Sequence, residues 1–130
     1  MNKIILVGVG GFIGAALRYL ITGYVQNLTH SVAFPYGTLV VNITGCFFIG
    51  ILSQLFESQS GLTAEMRLFL MIGLLGSFTT YSTFSSETMN LLHDQRLFLA
   101  LINMSTHIIL GLSAVLVGRF TIITIWRIWR

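Results

Sequence analysis

Apolar residues run through this chain in four long blocks separated by short polar stretches. The first block covers about residues 4–24, the second 38–56, the third 66–92 and the fourth 97–118. A membrane-crossing helix needs roughly 20 predominantly apolar residues, so each block predicts one span. The connections are QNLTHSVAFPYG, which holds the only proline, Pro35, then ESQSGLTAEMR and HDQR. In the second connection Thr63 shortly precedes Glu65, an imperfect helix N-cap signal. No repeat, low-complexity segment or linker divides the chain. The expected architecture is all-α: one transmembrane domain over residues 1–130 with four spans.

Composition agrees with that pattern. Of 130 residues 55% are hydrophobic and only 8% charged, about a third of the usual charged share. Disorder needs the opposite balance, and so few charges do not coat a soluble surface. The N-terminal stretch MNKIILVGVGGFIGAALRY has the outline of a cleaved signal peptide, but the chain beyond it is just as apolar. It also imitates a dinucleotide-binding turn. The third glycine of G-x-G-x-x-G would fall on Ile13, and the first acidic residue afterwards is Glu57, too distant for a ribose contact.

Net charge is +3, with Arg119, Arg127 and Arg130 gathered at the C-terminal end. No basic stripe with interleaved aromatics suggests nucleic acid. The tail alternates Trp126 and Trp129 with Arg127 and Arg130, the composition of a helix end at the lipid headgroups. Four spans put both termini and the second connection on one side of the membrane. Lys3, Arg67, Arg127 and Arg130 make that side the cytoplasm. The lone Cys46 has no metal-ligand spacing and reads as a small buried residue.

The third block carries the chemistry. It begins LFLMIGLLG and continues SFTTYSTFSSET, in which eight of twelve residues are Ser or Thr. On a continuous helix Thr79, Ser82, Thr83 and Ser86 form one hydroxyl row, with Glu87 at its edge and Tyr81, Phe84 and Thr88 on another face. A row of hydroxyl donors suits an anion stripped of water, and aromatic ring edges carry positive potential. A cation path would want carbonyls or an acidic ring. Gly73 and Gly76 ahead of the hydroxyls mark either a break in the span or simple close packing. At a break, freed carbonyls could hold sodium. Asn42 and Asn103 either line a path or bridge two helices. His107 fits an interhelical bond better than a ligand. Arg18 is a headgroup anchor or a counter-charge in a vestibule, and it shares a helix face with Gly10 and Gly14. No nucleophile triad or carboxylate pair supports an enzyme.

Three motifs, Gly10 to Tyr19 (GGFIGAALRY), Gly37 to Asn42 (GTLVVN) and Gly73 to Glu87 (GLLGSFTTYSTFSSE), resemble the Fluc/CrcB family of small fluoride channels, a similarity that covers essentially the whole chain. The resemblance implies a multi-pass protein of the cell membrane, not an enzyme, built as an antiparallel dual-topology dimer with two pores. It implies passive export of fluoride, which lowers cytoplasmic fluoride and gives resistance. It puts Asn42 at a polar vestibule of the fluoride path, Tyr81 and Phe84 as the paired aromatics of the pore and Ser82 and Thr83 on its hydroxyl track. Glu87 matches the family's acidic residue in that helix, and Arg18, the vestibule candidate, matches the basic residue ending the first motif. Asn103 is counted with the path from its own polarity. It places a structural Na+ at the dimer centre, held by the backbone carbonyls of Gly76 and Thr79 where the third helix breaks near its middle.

Some positions depart from the family pattern. Tyr81 stands where Phe is usual, and Leu110-Gly111 where Gly-Ser is common. The charge bias exceeds what a strictly dual-topology homodimer wants, so a second homologous chain is the alternative partner. A rival class, the small proton-coupled multidrug exporter, wants a carboxylate in the first span, which has none. A purely structural membrane subunit would need no polar row.

Overall fold

The computed structural model describes residues 2–58 and 62–128. The first helix, α1, is Lys3–Thr29 and the second, α2, is Tyr36–Glu57. The third span, Ala64–His93, is divided. We label its first part, residues 64–78, α3 and its second part, Tyr81–His93, α4. The last helix, α5, is Leu97–Ile128. All four spans are long and apolar enough to cross a membrane, and the described residues contain no strand. The chain is a multi-pass membrane protein.

Helix ends overshoot the apolar blocks for local reasons. Asn2 caps α1 by accepting from the Ile4 N–H. Past Tyr24, α1 continues to Thr29 and stops at His30, whose φ of 48° turns the chain left-handed. Gln26 organises the connection to α2. Its Nε2 donates to the carbonyls of Ser31 and Phe34, and its Oε1 accepts from the Gly37 N–H. Thr63 does cap the third span, accepting from Met66 N–H at 3.2 Å. The HDQR turn is a Schellman closure: Arg96 N–H donates to Leu91 and Gln95 N–H to Leu92, with Gln95 at φ 59°.

The fourth span does not end at Gly118. It runs unbroken for 32 residues, about 48 Å at 1.5 Å per residue, well beyond the roughly 30 Å hydrocarbon layer. Arg119, which pairs with Glu57 at the end of α2, and Arg127 are therefore helical positions near or past the membrane edge. Trp129 and Arg130 lie outside the described residues.

Packing follows the small residues. α1 lies along α3, and α2 along α5. A Cβ on Gly14 would strike the Leu74 carbonyl, and one on Gly73 would stand 3.1 Å from Gly10 Cα. Gly50 and Gly118 do the same for α2 and α5: a Cβ on either would hit the carbonyl of Val115 or Phe47. Such contacts drive helix association in lipid, where apolar burial gives no advantage. Within α3, Leu68–Leu75 forms a π-helix, a widened form frequent at functional sites. The core is small: Val41, Leu75 and Phe78, flanked by Ile21, Ile49, Leu52 and Leu74. Only 17–22% of the most apolar window of each span is buried, which leaves wide faces for lipid or another subunit.

Candidate functional site

The break in the third span is two residues long and falls after the glycines. Thr79 (φ −83°, ψ 154°) and Thr80 (φ −150°, ψ 115°) are extended. The glycines Gly73 and Gly76 read as either a break or close packing, and the family resemblance put the break at Gly76 and Thr79. Gly73 takes the packing alternative, against α1, and Gly76 precedes the extended residues by one turn. The hydroxyl row is corrected accordingly. Thr79 and Thr80 leave the helix, and only the residues from Tyr81 onward share its periodicity.

Side chains replace the lost helical bonds. Thr79 donates both its N–H (3.0 Å) and its hydroxyl (2.9 Å) to the Leu75 carbonyl, closing α3. Thr80 caps α4, its Oγ1 accepting from Thr83 N–H at 3.2 Å. The same hydroxyl donates to Thr83 Oγ1 at 2.9 Å and lies 3.3 Å from Ser82 Oγ. From α2, Asn42 accepts the Thr80 N–H at 2.8 Å and donates to the Thr80 carbonyl at 3.2 Å.

An unbroken helix would send the Thr80 N–H to Gly76 and the Thr83 N–H to Thr79. Both amides are engaged elsewhere. The carbonyls of Gly76 and Thr79 are thus released from their usual donors. A Cβ on Gly45 of α2 would collide with the Thr79 methyl, so Gly45 is the notch that seats the break. Among the described residues no three His, Cys, Asp or Glu side chains gather to hold a metal. A hard cation here would rest on backbone oxygens, which suit sodium-like ions.

Above the break lies an open groove of about 560 Å³. Asn42, Gly76, Thr79, Tyr81 and Phe84 line it, joined by Thr80, Cys46 and His107. Its other walls are apolar, including Ile49, Met71, Leu75 and Met104. Tyr81 and Phe84 stand 5.7 Å apart, and Tyr81 is 81% exposed, projecting off the subunit. Five of the sequence-derived site residues therefore meet on one wall.

The remaining ones sit elsewhere. Glu87 turns toward a second cavity of about 290 Å³, which it lines with Thr38, Gln26 and Arg96. Its Oε1 accepts from the Thr38 hydroxyl at 2.6 Å, while Oε2 is buried without a partner among the described residues. Asn103 is fully buried and bridges helices, donating to Thr88 Oγ1 at 2.9 Å. Ser82 is exposed and Thr83 half-buried beside the cap. Arg18 is half-buried on α1. Among the described residues His107 makes no interhelical hydrogen bond: its Nδ1 engages its own helix at Asn103 O, and its ring rests on Phe84. Sequence reasoning missed Thr80 and Thr38. Thr80 followed by Thr83 was a legible capping signal; nothing local pointed to Thr38 reaching Glu87.

A four-span helical membrane protein, with a carbonyl-baring break at mid-span and an aromatic-lined groove beside it, is built as an ion-handling protein of the bilayer. Comparison narrows this. The family described as CrcB-like protein, Camphor Resistance (CrcB), matches residues 5–119. The chain is 47% identical over 121 residues to "Fluoride-specific ion channel FluC 1" of Methanosarcina acetivorans, covering 93% of this chain and 91% of that one. It is 45% identical over 119 residues to "Fluoride-specific ion channel FluC 3" of Methanosarcina barkeri, covering 92% and 89%. It is 42% identical over 125 residues to "Fluoride-specific ion channel FluC" of Ruminiclostridium cellulolyticum, covering 96% and 95%. The chain belongs to the CrcB family.

Proposed function

We propose that this protein is a fluoride-specific ion channel of the cell membrane that lets fluoride leave the cell passively and so confers fluoride resistance. The observation that carries the reading is the two-residue break at Thr79–Thr80, fastened by Asn42 beside Tyr81 and Phe84. It joins the names of the relatives, which are fluoride channels.

A broken span presents two opposite poles at one depth. The N-terminus of α4 carries uncompensated N–H groups and the positive end of the helix dipole, which favour an anion. The hydroxyls of Ser82 and Thr83 add donors beside it, Thr80 having given its own proton to Thr83 Oγ1. Fluoride is small and strongly hydrated, so stripping its water requires donors at short range rather than a wide charged vestibule. Tyr81 and Phe84 offer ring edges along the same wall. The chain has seven basic residues in all, so uncharged donors do this work.

The C-terminal pole of α3 bares carbonyls and favours a cation. Gly76 and Thr79 are the residues that would hold sodium, which would supply fixed positive charge and join subunits. Gly76 is exposed in the single subunit, as a site shared with a second copy requires. An antiparallel pair brings two carbonyls from each chain together. The wide unburied faces of the spans and the projecting Tyr81 support this assembly. A second homologous chain in the opposite orientation is the alternative partner.

The test is fluoride efflux from proteoliposomes holding this chain alone, followed with a fluoride electrode. Efflux well above empty vesicles, with chloride retained, is the expected result. No efflux, or equal chloride efflux, refutes the reading.

A further inference from the structure

His107 occupies the groove wall in a way that the conduction chemistry above leaves unexplained. Its ring centroid lies 4.4 Å from that of Phe84, tilted by 41°, and Phe84 lies 5.7 Å from Tyr81. The imidazole thus extends the aromatic row by one ring, onto α5. Its Nδ1 is 2.9 Å from the Asn103 carbonyl oxygen. A carbonyl oxygen only accepts, so Nδ1 carries the proton of the neutral ring. Nε2 then holds a lone pair. It is buried, and no protein donor among the described residues reaches it.

The neutral ring is therefore poorly suited to an anion path. It adds a buried acceptor, and Asn103 Oδ1, on the residue one turn earlier in the same helix, is another with no donor among the described residues. Fluoride is itself an acceptor. Taking up a second proton at Nε2 leaves the Nδ1–H bond to Asn103 intact and converts the other pole into a cationic N–H donor. Resting on the fluoride-channel reading, we infer that His107 is an anion-contacting residue of the path, repelling fluoride as the neutral Nδ1–H tautomer and admitting it as imidazolium.

The neighbouring groups leave His107 as the switch. On α2 the only titratable side chain in the groove is Cys46. On α4 there are Tyr81 in the groove and Glu87, which is held by Thr38 at the second cavity. The part of α3 lining the groove is Met71, Leu75, Gly76 and Thr79, none titratable. On α5 the nearest charges are Arg119, paired with Glu57, and Arg127 beyond it.

Fluoride efflux is measured in proteoliposomes between about pH 8 and pH 5, the range in which imidazole charges, with empty-vesicle leakage subtracted at each pH. Wild-type flux is expected to rise about tenfold toward the acid end, the sign set by a donor gained on protonation. His107→Gln conducts with a flat profile, and His93→Gln, whose side chain is exposed at the end of α4, keeps the slope. Wild-type conduction without a slope, or a slope kept by His107→Gln, overturns the inference and leaves the channel reading standing. No fluoride flux at any pH overturns both.

A second measurement needs no change at His107. In a His30→Asn, His93→Gln background His107 is the only histidine, and its 15N spectrum in lipid reports the tautomer directly. A neutral ring protonated at Nδ1, turning doubly protonated in step with flux, is expected. A neutral ring protonated at Nε2 overturns the inference.

Discussion

Asn42 and Thr80 form a closed two-bond pair across the break: the Asn42 Oδ1 accepts the Thr80 N–H at 2.8 Å, and its Nδ2 donates to the Thr80 carbonyl at 3.2 Å. One side-chain amide thereby satisfies both backbone groups of a residue that the helix has abandoned. In a membrane, where water does not substitute, this is the condition for an extended residue at mid-span. The pairing also sets the sodium candidate, because the N–H that Asn42 takes is the one Gly76 would otherwise receive.

Replacing Asn42 by Ala leaves two backbone groups without partners, at about 1–3 kcal/mol each. Fluoride efflux is expected to fall by at least about tenfold, the equivalent of 1.4 kcal/mol on a barrier, with a lower unfolding temperature in detergent. Asn42→Asp keeps the acceptor but sets a carboxylate against the Thr80 carbonyl, and its flux is expected to be no better than that of Ala. Wild-type flux in both variants would separate the break from conduction.

The seat of the break predicts a coupled pair. A Cβ at Gly45 meets the Thr79 methyl, so Gly45→Ala displaces the extended segment. Thr79→Ser removes that methyl and keeps the hydroxyl that bonds Leu75. Gly45→Ala alone is expected to cost about 1–3 kcal/mol by overpacking. The double variant recovers much of it, with a coupling of at least about 0.5 kcal/mol. Thermal unfolding and efflux of the four proteins of the cycle check this; additive losses would mean the methyl does not define the seat.

The spans were legible because their signal is bulk apolarity over some twenty residues, which survives any detail of packing. The break was open from the residues alone and placed at Gly76 and Thr79 only through the family resemblance; the extended residues are Thr79 and Thr80. Gly73 and Gly76 carry the composition of a hinge, yet Gly73 is consumed by α1, a tertiary contact that no local pattern encodes. The extended residues are β-branched threonines, held by an amide 38 positions earlier in the chain. Asn42, Tyr81 and Phe84 were placed together through the family resemblance, and they meet in the groove. Asn103 read equally well as a path residue or a bridge, and the choice turns on Thr88, one helix away. The C-terminal arginines were read as a tail after Gly118. No Pro or further Gly interrupts the chain there, so α5 simply continues, and Glu57 on α2 receives Arg119.

Asn103 is expected to act first as a bridge. Its Nδ2 donates to Thr88 Oγ1 with the side chain fully buried. Thr88→Val removes the acceptor at nearly constant volume and strands a buried N–H, costing about 1–3 kcal/mol. Thr88→Ser keeps the acceptor and is expected to lose less than half as much. Unfolding temperatures rank the three proteins. A Thr88→Val protein as stable as wild type would show that the Asn103 N–H finds another acceptor, and the path role would gain weight.

Sodium dependence is the outcome expected if the two released carbonyls hold the proposed cation. A cation bound by the assembled protein and not by separated or unfolded chains stabilises the assembly by mass action, about 2.7 kcal/mol at a hundred times its dissociation constant. Replacing sodium by a large organic cation is therefore expected to lower the unfolding temperature and to favour dissociation into single subunits on size exclusion. The ligands are backbone oxygens, so Thr79→Ser, which keeps the carbonyl, retains the dependence. Asn42→Ala, which releases the Thr80 N–H to compete for the Gly76 carbonyl, weakens it. Equal stability and equal oligomer size with and without sodium would remove the cation from the break and leave the carbonyls of Gly76 and Thr79 to water.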